Sequence, residues 1–177
     1  MGKERRKKGW PRWPWILSLL LLAAIILALH FNYSFHSGGD NCRYLNVARS
    51  LRSGEGFIAS WLPGNPPTRL LSPGYVVLIA GAMELFGNNR PIMPLKLLSA
   101  ISFLVFILIL FSIYVRYLRI PKIAALLISL FLCLNVTLNS YGSYILTEAP
   151  FLMLMSLALL FLFEWDDSGD APPLLLG

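Results

Sequence analysis

Residues 92–115 read IMPLKLLSAISFLVFILILFSIYV, and past Lys96 the run carries no charge. A helix needs about 20 mostly apolar residues to cross the hydrocarbon core of a bilayer. This run is long enough, and it does not alternate as a strand would. With 56% apolar residues and only 14% charged over 177 residues, the whole chain departs from soluble usage in the same direction. The expected fold is all-α: a polytopic helical membrane protein with about four transmembrane helices and interfacial helices in its first outer loop.

On either side of that run the sequence divides by hydropathy. Residues 1–14 hold Lys3, Arg5, Arg6, Lys7, Lys8 and Arg12, followed by Trp10, Trp13 and Trp15 at the start of an apolar run over 15–31. Clustered cations before a span, with an aromatic belt, describe a cytoplasmic flank. The net charge of +6 is therefore a juxtamembrane feature and no sign of nucleic-acid binding. No small-x-small cleavage site precedes the polar segment, so the run reads as an anchor and not as a signal peptide. Cys42 and Cys133 are too differently placed to suggest a disulfide framework or a zinc site.

Further spans are expected over 123–140 and 149–164, with a tail from 165 to 177. Residues 73–86 are apolar but short, open with Pro73-Gly74 and contain Glu84. Reading them as an interfacial helix puts Arg116, Arg119 and Lys122 on the cytoplasmic side, as the positive-inside rule requires. Lys96 then snorkels towards the outer surface. The same parity leaves the outer loop 32–91, with interfacial helices over 40–53 and 73–86, on the face where the run at 149 begins.

That loop contains SGGDNCRYLNVARSLRSGEGF, residues 37–57. Tyr44, Val47, Ala48 and Leu51 recur at helical spacing, while Asn41, Arg43, Asn46, Arg49 and Arg52 fall mostly on the other flank. Guanidinium groups in such a segment suit headgroups or a lipid-linked phosphate. Asp40 and Glu148 each stand where water meets hydrocarbon, a position in which partial desolvation makes a carboxylate a usable base. Each also has a structural account. Asp40 can cap the helix it begins, and Glu148 suits the first turn of a helix capped by Thr147 and opened by Pro150. His30 and His36 have no matching ligands in sequence and read as interfacial residues. The sequons at Asn32 and Asn135 read as chance matches.

The order of these elements resembles the polyprenol-dependent membrane glycosyltransferases of the GT-C type, which include protein O-mannosyltransferases and aminoarabinose transferases. The resemblance rests on Asp40 with Tyr44, Ala48, Gly54, Gly56 and Phe57; on Ser72-Pro73-Gly74-Tyr75; on Leu85-Phe86-Gly87; and on the stretch from Tyr144 to Pro150. It implies transfer of a sugar from a polyprenyl-phosphate donor to a hydroxyl of a glycan, lipid or protein acceptor, with inversion. Asp40 corresponds to the general base and Glu148 to a second acid, with Arg43, Arg49, Tyr44, Arg69 and Tyr75 as substrate or lipid-phosphate contacts. No metal ligands are assigned. Asn41 stands where many relatives carry a second acid, which weakens the case for a two-carboxylate metal site in this loop. A divalent cation is the one cofactor the resemblance leaves open. It also implies a bacterial inner (plasma) membrane location, with the active loop facing outward. Relatives of this type continue into further spans, so the chain is expected to be the N-terminal part of a longer enzyme. The competing expectation is a non-catalytic membrane subunit that uses its interfacial helices for assembly.

Overall fold

The computed structural model describes residues 13–31, 40–87, 91–141, 144–145 and 147–168. The basic N-terminal run, His36, Asn32 and the final linker lie outside them. The described residues form seven helices in order: α1 Trp13–His30, α2 Asp40–Arg52, α3 Pro73–Leu85, α4 Ile92–Arg116, α5 Lys122–Leu134, α6 Val136–Tyr141 and α7 Glu148–Ser168. Among the described residues no strand occurs, and one isolated antiparallel bridge joins Ile58 to Pro67. The chain is an all-α, polytopic membrane protein.

Among the described residues three helices, α1, α4 and α7, are long and apolar enough to cross a membrane. They use that apolarity differently. α4 is the centre of the bundle, with Phe103, Ile107 and Phe111 sealed from the surroundings. α1 buries only a narrow stripe, Leu19, Ala23 and Leu27, at intervals of four residues. The small Ala23 lets the neighbouring backbones approach, as is common between helices in lipid. The remaining faces of α1 and α7 expose Leu21, Leu29, Phe151, Leu154 and Phe161. Such side chains would be an aggregation hazard in water and are ordinary against acyl chains.

α4 and α7 pack side by side in parallel. At one end Arg116 Nη1 donates to Glu164 Oε1 at 2.9 Å, and Tyr117 stacks on Phe163 with ring centroids 5.0 Å apart. At the other end Ser99 of α4 and Glu148 of α7 both influence Tyr75 of α3. Ser99 to Arg116 and Glu148 to Glu164 each span about 25 Å of helix at 1.5 Å per residue. The two polar levels are therefore spaced for one hydrocarbon slab of about 30 Å.

The third apolar run differs from the single helix expected over 123–140. α5 ends at Leu134 after about 20 Å, and Asn135 breaks it with extended backbone angles. Its side-chain oxygen accepts the Leu138 N–H at 3.1 Å, so Asn135 caps the short helix α6. The sequon asparagine thus has a local structural role.

Lys96 also departs from expectation. It does not snorkel: it is 2% exposed, and its ammonium lies 5.8 Å over the ring of Phe31, just past α1. An aromatic face is one of the few partners that can accommodate a cation away from water.

A second apolar cluster lies at the Glu148 end. α2 and α3 run side by side in parallel, because Tyr44 meets Tyr75 while Arg52 meets Glu84 at 2.8 Å. Leu45, Val47, Ala48, Val76, Ile79 and Met83 fill the seam, and Leu95 of α4 and Ile145 close it from below. α2 ends in a Schellman turn: Gly54 has φ +81°, its N–H bonds to Leu51, and the Glu55 N–H bonds to Ser50. That turn redirects the chain into the bridged loop leading to α3.

Packing at the centre of α4 should dominate stability. Ile107→Ala is expected to destabilise the fold by about 2–5 kcal/mol through the cavity it leaves. Leu29→Ala, on an exposed face of α1, should change it little; equal effects in a denaturation series in detergent would contradict this core.

Candidate functional site

The seam between α2 and α3 organises the polar residues of this end. Helical period places Tyr44 on the inward face of α2, where its ring meets Tyr75 edge-on at a centroid distance of 5.2 Å. The Tyr44 hydroxyl accepts the backbone N–H of Ser72 at 3.4 Å, which ties α2 to the start of α3. Pro73, in the first turn of α3, suits a helix start because its missing N–H is not needed there. Tyr75 is thereby fixed one turn into α3, buried, with its hydroxyl aimed at α4.

Around Tyr75 the polar contacts are incomplete. Ser99 of α4 lies beside its hydroxyl, yet neither oxygen closes a hydrogen bond with the other. Glu148, at the start of α7, has one buried carboxylate oxygen without a partner. Burial pushes the Tyr75 phenol up to about 12, with Ser99 opposing and the charges of Tyr44 and Glu148 adding to the rise. The Thr147 carbonyl accepts the Phe151 N–H at 2.9 Å, so Thr147 occupies the capping position and Glu148 the first turn, as the sequence suggests.

Asp40 is placed differently. It opens α2 and accepts from Arg43 Nη1 at 3.2 Å, in an ion pair whose side chains are 54% and 49% exposed. A pair so exposed contributes about 0–1 kcal/mol, so it orients Asp40 without locking it. Arg43 in turn lies 5.8 Å over the ring of Trp61 in the loop. Arg49 donates to the side-chain oxygen of Asn46 at 3.0 Å. With Arg52, Ser50, Ser53 and Glu55 it lines an open groove at the far end of α2. Arg69 is exposed on the loop before α3 and takes no part in the buried group.

Of the residues singled out in sequence, Tyr44, Tyr75 and Glu148 come together. Asp40 and Arg43 stand at the rim of the same helix, Arg49 lies two turns away, and Arg69 lies apart. Asn41 belongs to the buried flank of α2, at 5% exposure, and not to the polar flank with the arginines. Its side-chain oxygen faces inward without a partner. Ser99 was not anticipated. The available signal was a small hydroxyl within an apolar span, where polar side chains face protein and not lipid. Among the described residues no three His, Cys, Asp or Glu side chains group as metal ligands.

A family model described as dolichyl-phosphate-mannose-protein mannosyltransferase matches residues 73–172. The chain belongs to that family. It is thus an integral membrane protein of a GT-C type glycosyltransferase family. No curated protein and no solved structure matches it. The mannosyltransferase match begins at Pro73 and so takes in Tyr75, Ser99 and Glu148, while Asp40 and the arginines of α2 precede it.

The buried phenol makes a test of the geometry. Because Tyr75 is neutral to higher pH in the fold than its ordinary 10.0, its contribution to stability is complete below pH 10 and is lost as pH rises towards 12. Tyr75→Phe should remove that alkaline loss. Identical unfolding curves against pH for the two proteins would show that Tyr75 is not buried as described.

Proposed function

We propose that this chain carries catalytic residues of a mannosyltransferase that moves a sugar from a polyprenyl-phosphate donor to an acceptor hydroxyl at the outer membrane face. The observation that carries the reading is the placement of Asp40 and Glu148. They begin two helices, α2 and α7, at the end of α4 opposite the cationic turn at Arg116, Arg119 and Lys122; Tyr44 of α2 meets Tyr75 of α3, whose phenol feels the charge of Glu148. The positive-inside rule assigns that turn to the cytoplasm and the two acids to the outside. In this topology α5 and α6 together make the third crossing, and α2 and α3 lie in the outer interface.

In the reaction, the acceptor oxygen attacks the anomeric carbon while the bond from that carbon to the phosphate oxygen breaks. The phosphate leaves with the electron pair, the configuration inverts, and the acceptor proton passes to the Asp40 carboxylate. A base must lie within about 3 Å of the proton it takes. Asp40, exposed at the start of α2, can be reached by an acceptor that covers it and excludes water. Arg43 can exchange its carboxylate partner for the developing phosphate charge, and Arg49 adds a second guanidinium along the helix. Glu148, partly desolvated beside Tyr75, holds the acceptor.

The test is transfer from polyprenyl-phosphate mannose to a Ser/Thr-containing peptide by the chain in membranes. Asp40→Asn is expected to lower the rate by about 10²–10⁴ while insertion is unchanged, the range set by loss of a general base. An unaltered rate would remove Asp40 from that role.

A further inference from the structure

Among the buried oxygens at the Glu148 end that lack a hydrogen-bond partner are the hydroxyl of Tyr75 on α3, the hydroxyl of Ser99 on α4 and one carboxylate oxygen of Glu148 on α7. They are one group and not three accidents: Ser99 lies beside the Tyr75 phenol, and the parallel register of α4 and α7, set by Arg116 against Glu164, brings Glu148 to the level of Ser99. A buried polar atom left unpaired keeps the desolvation cost of its burial uncompensated. Folded chains meet that cost with a ligand or an ordered water.

The chemistry of the three oxygens selects what fits. The carboxylate only accepts, while the phenol and the serine each donate one hydrogen and accept another. An anion would be repelled by Glu148. A neutral hydroxyl satisfies the set: it donates to Glu148 and accepts from Tyr75 or Ser99. Ser99 is fully buried on the most enclosed helix, and Tyr75 is held edge-on by Tyr44, so both are rigid references. The other titratable groups nearest them are Tyr44 on α2 and Lys96, one turn before Ser99 on α4.

We propose that Ser99 and Tyr75 are positioning residues for Glu148, the three side chains closing around a single hydroxyl supplied by water or by the substrate alcohol. The part played by the substrate alcohol rests on the role given to Glu148 above. The hydrogen-bonded locus itself does not. It predicts that the three residues act as a unit, so their substitutions fail to add.

The experiment is a double-mutant cycle of Ser99→Ala and Glu148→Gln in the full chain, read in two ways. One arm measures unfolding midpoints in detergent with no substrate. The other measures transfer from polyprenyl-phosphate mannose to a Ser/Thr peptide, with kcat and the acceptor KM separated. Ser99→Ala and Tyr75→Phe should each weaken transfer about threefold to tenfold, the worth of one hydrogen bond, and have little further effect in the Glu148→Gln background. Ser99→Thr, which keeps the hydroxyl, should restore the wild-type value. Non-additive midpoints identify water as the bound hydroxyl. Non-additivity confined to the acceptor KM identifies the substrate alcohol. Ser129→Ala, a buried unpaired serine on α5, should add simply to Glu148→Gln and serves as the control. Additivity in both arms for Ser99 overturns the proposal. Absence of transfer by the wild-type chain would instead count against the proposed function, and the unfolding arm alone would then decide the locus.

Discussion

Hydrocarbon offers no hydrogen bonds to a backbone, and that constraint shapes everything else in this chain. It requires α1, α4 and α7 to be long and internally bonded, and it drives polar side chains to the helix ends. The α4–α7 pair shows the consequence, with Arg116 and Glu164 at one level and Ser99 and Glu148 at the other. Between the levels lie Phe103, Ile107 and Phe111, packed without a charged side chain. A fixed separation of the polar levels means that whatever chemistry the chain performs is confined to one end or the other.

The α2–α3 cap gives that end its shape. Its apolar seam holds Tyr44 against Tyr75, and its Schellman turn and bridged loop return the chain so that both helices run in parallel over the start of α4. Asp40 at the rim and Glu148 beneath it then differ in surroundings, one largely solvated and one partly desolvated. The proposed division of proton transfer and positioning between the two acids rests on that contrast. The mannosyltransferase family match covers the lower member of this arrangement, and the α2 segment supplies the upper one.

Much of the fold was legible because membrane spans are written in hydropathy. The run at 92–115, the short helix at 73–85 and the cationic turn after α4 all follow from composition and charge. What was not legible depended on single side chains in three dimensions. Asn135 looked like one polar residue in an apolar run, and only the bond from the Leu138 N–H shows that it divides α5 from α6. Lys96 was expected to reach water, but the ring of Phe31 gives its ammonium a partner in place. Asn41 was grouped with the arginines by spacing, yet it turns inward one helical turn before Tyr44. In the site, Tyr44, Tyr75 and Glu148 could be named from motif order, whereas Ser99 could not, because a serine in a span has many structural roles.

The central claim is that the α2–α3 cap and the start of α7 share one membrane face, opposite the turn at Arg116–Lys122. The most direct measurement is sidedness of a membrane-impermeant thiol reagent on sealed vesicles of known orientation. Single cysteines would replace Glu55 in the cap loop, Tyr144 before α7 and the exposed Arg119 in the turn, with Cys42 and Cys133 removed. Labelling of the first two positions from outside, with Arg119 reached only after the vesicles are opened, is the predicted result. Labelling of position 119 together with position 55 from the same side would contradict the account.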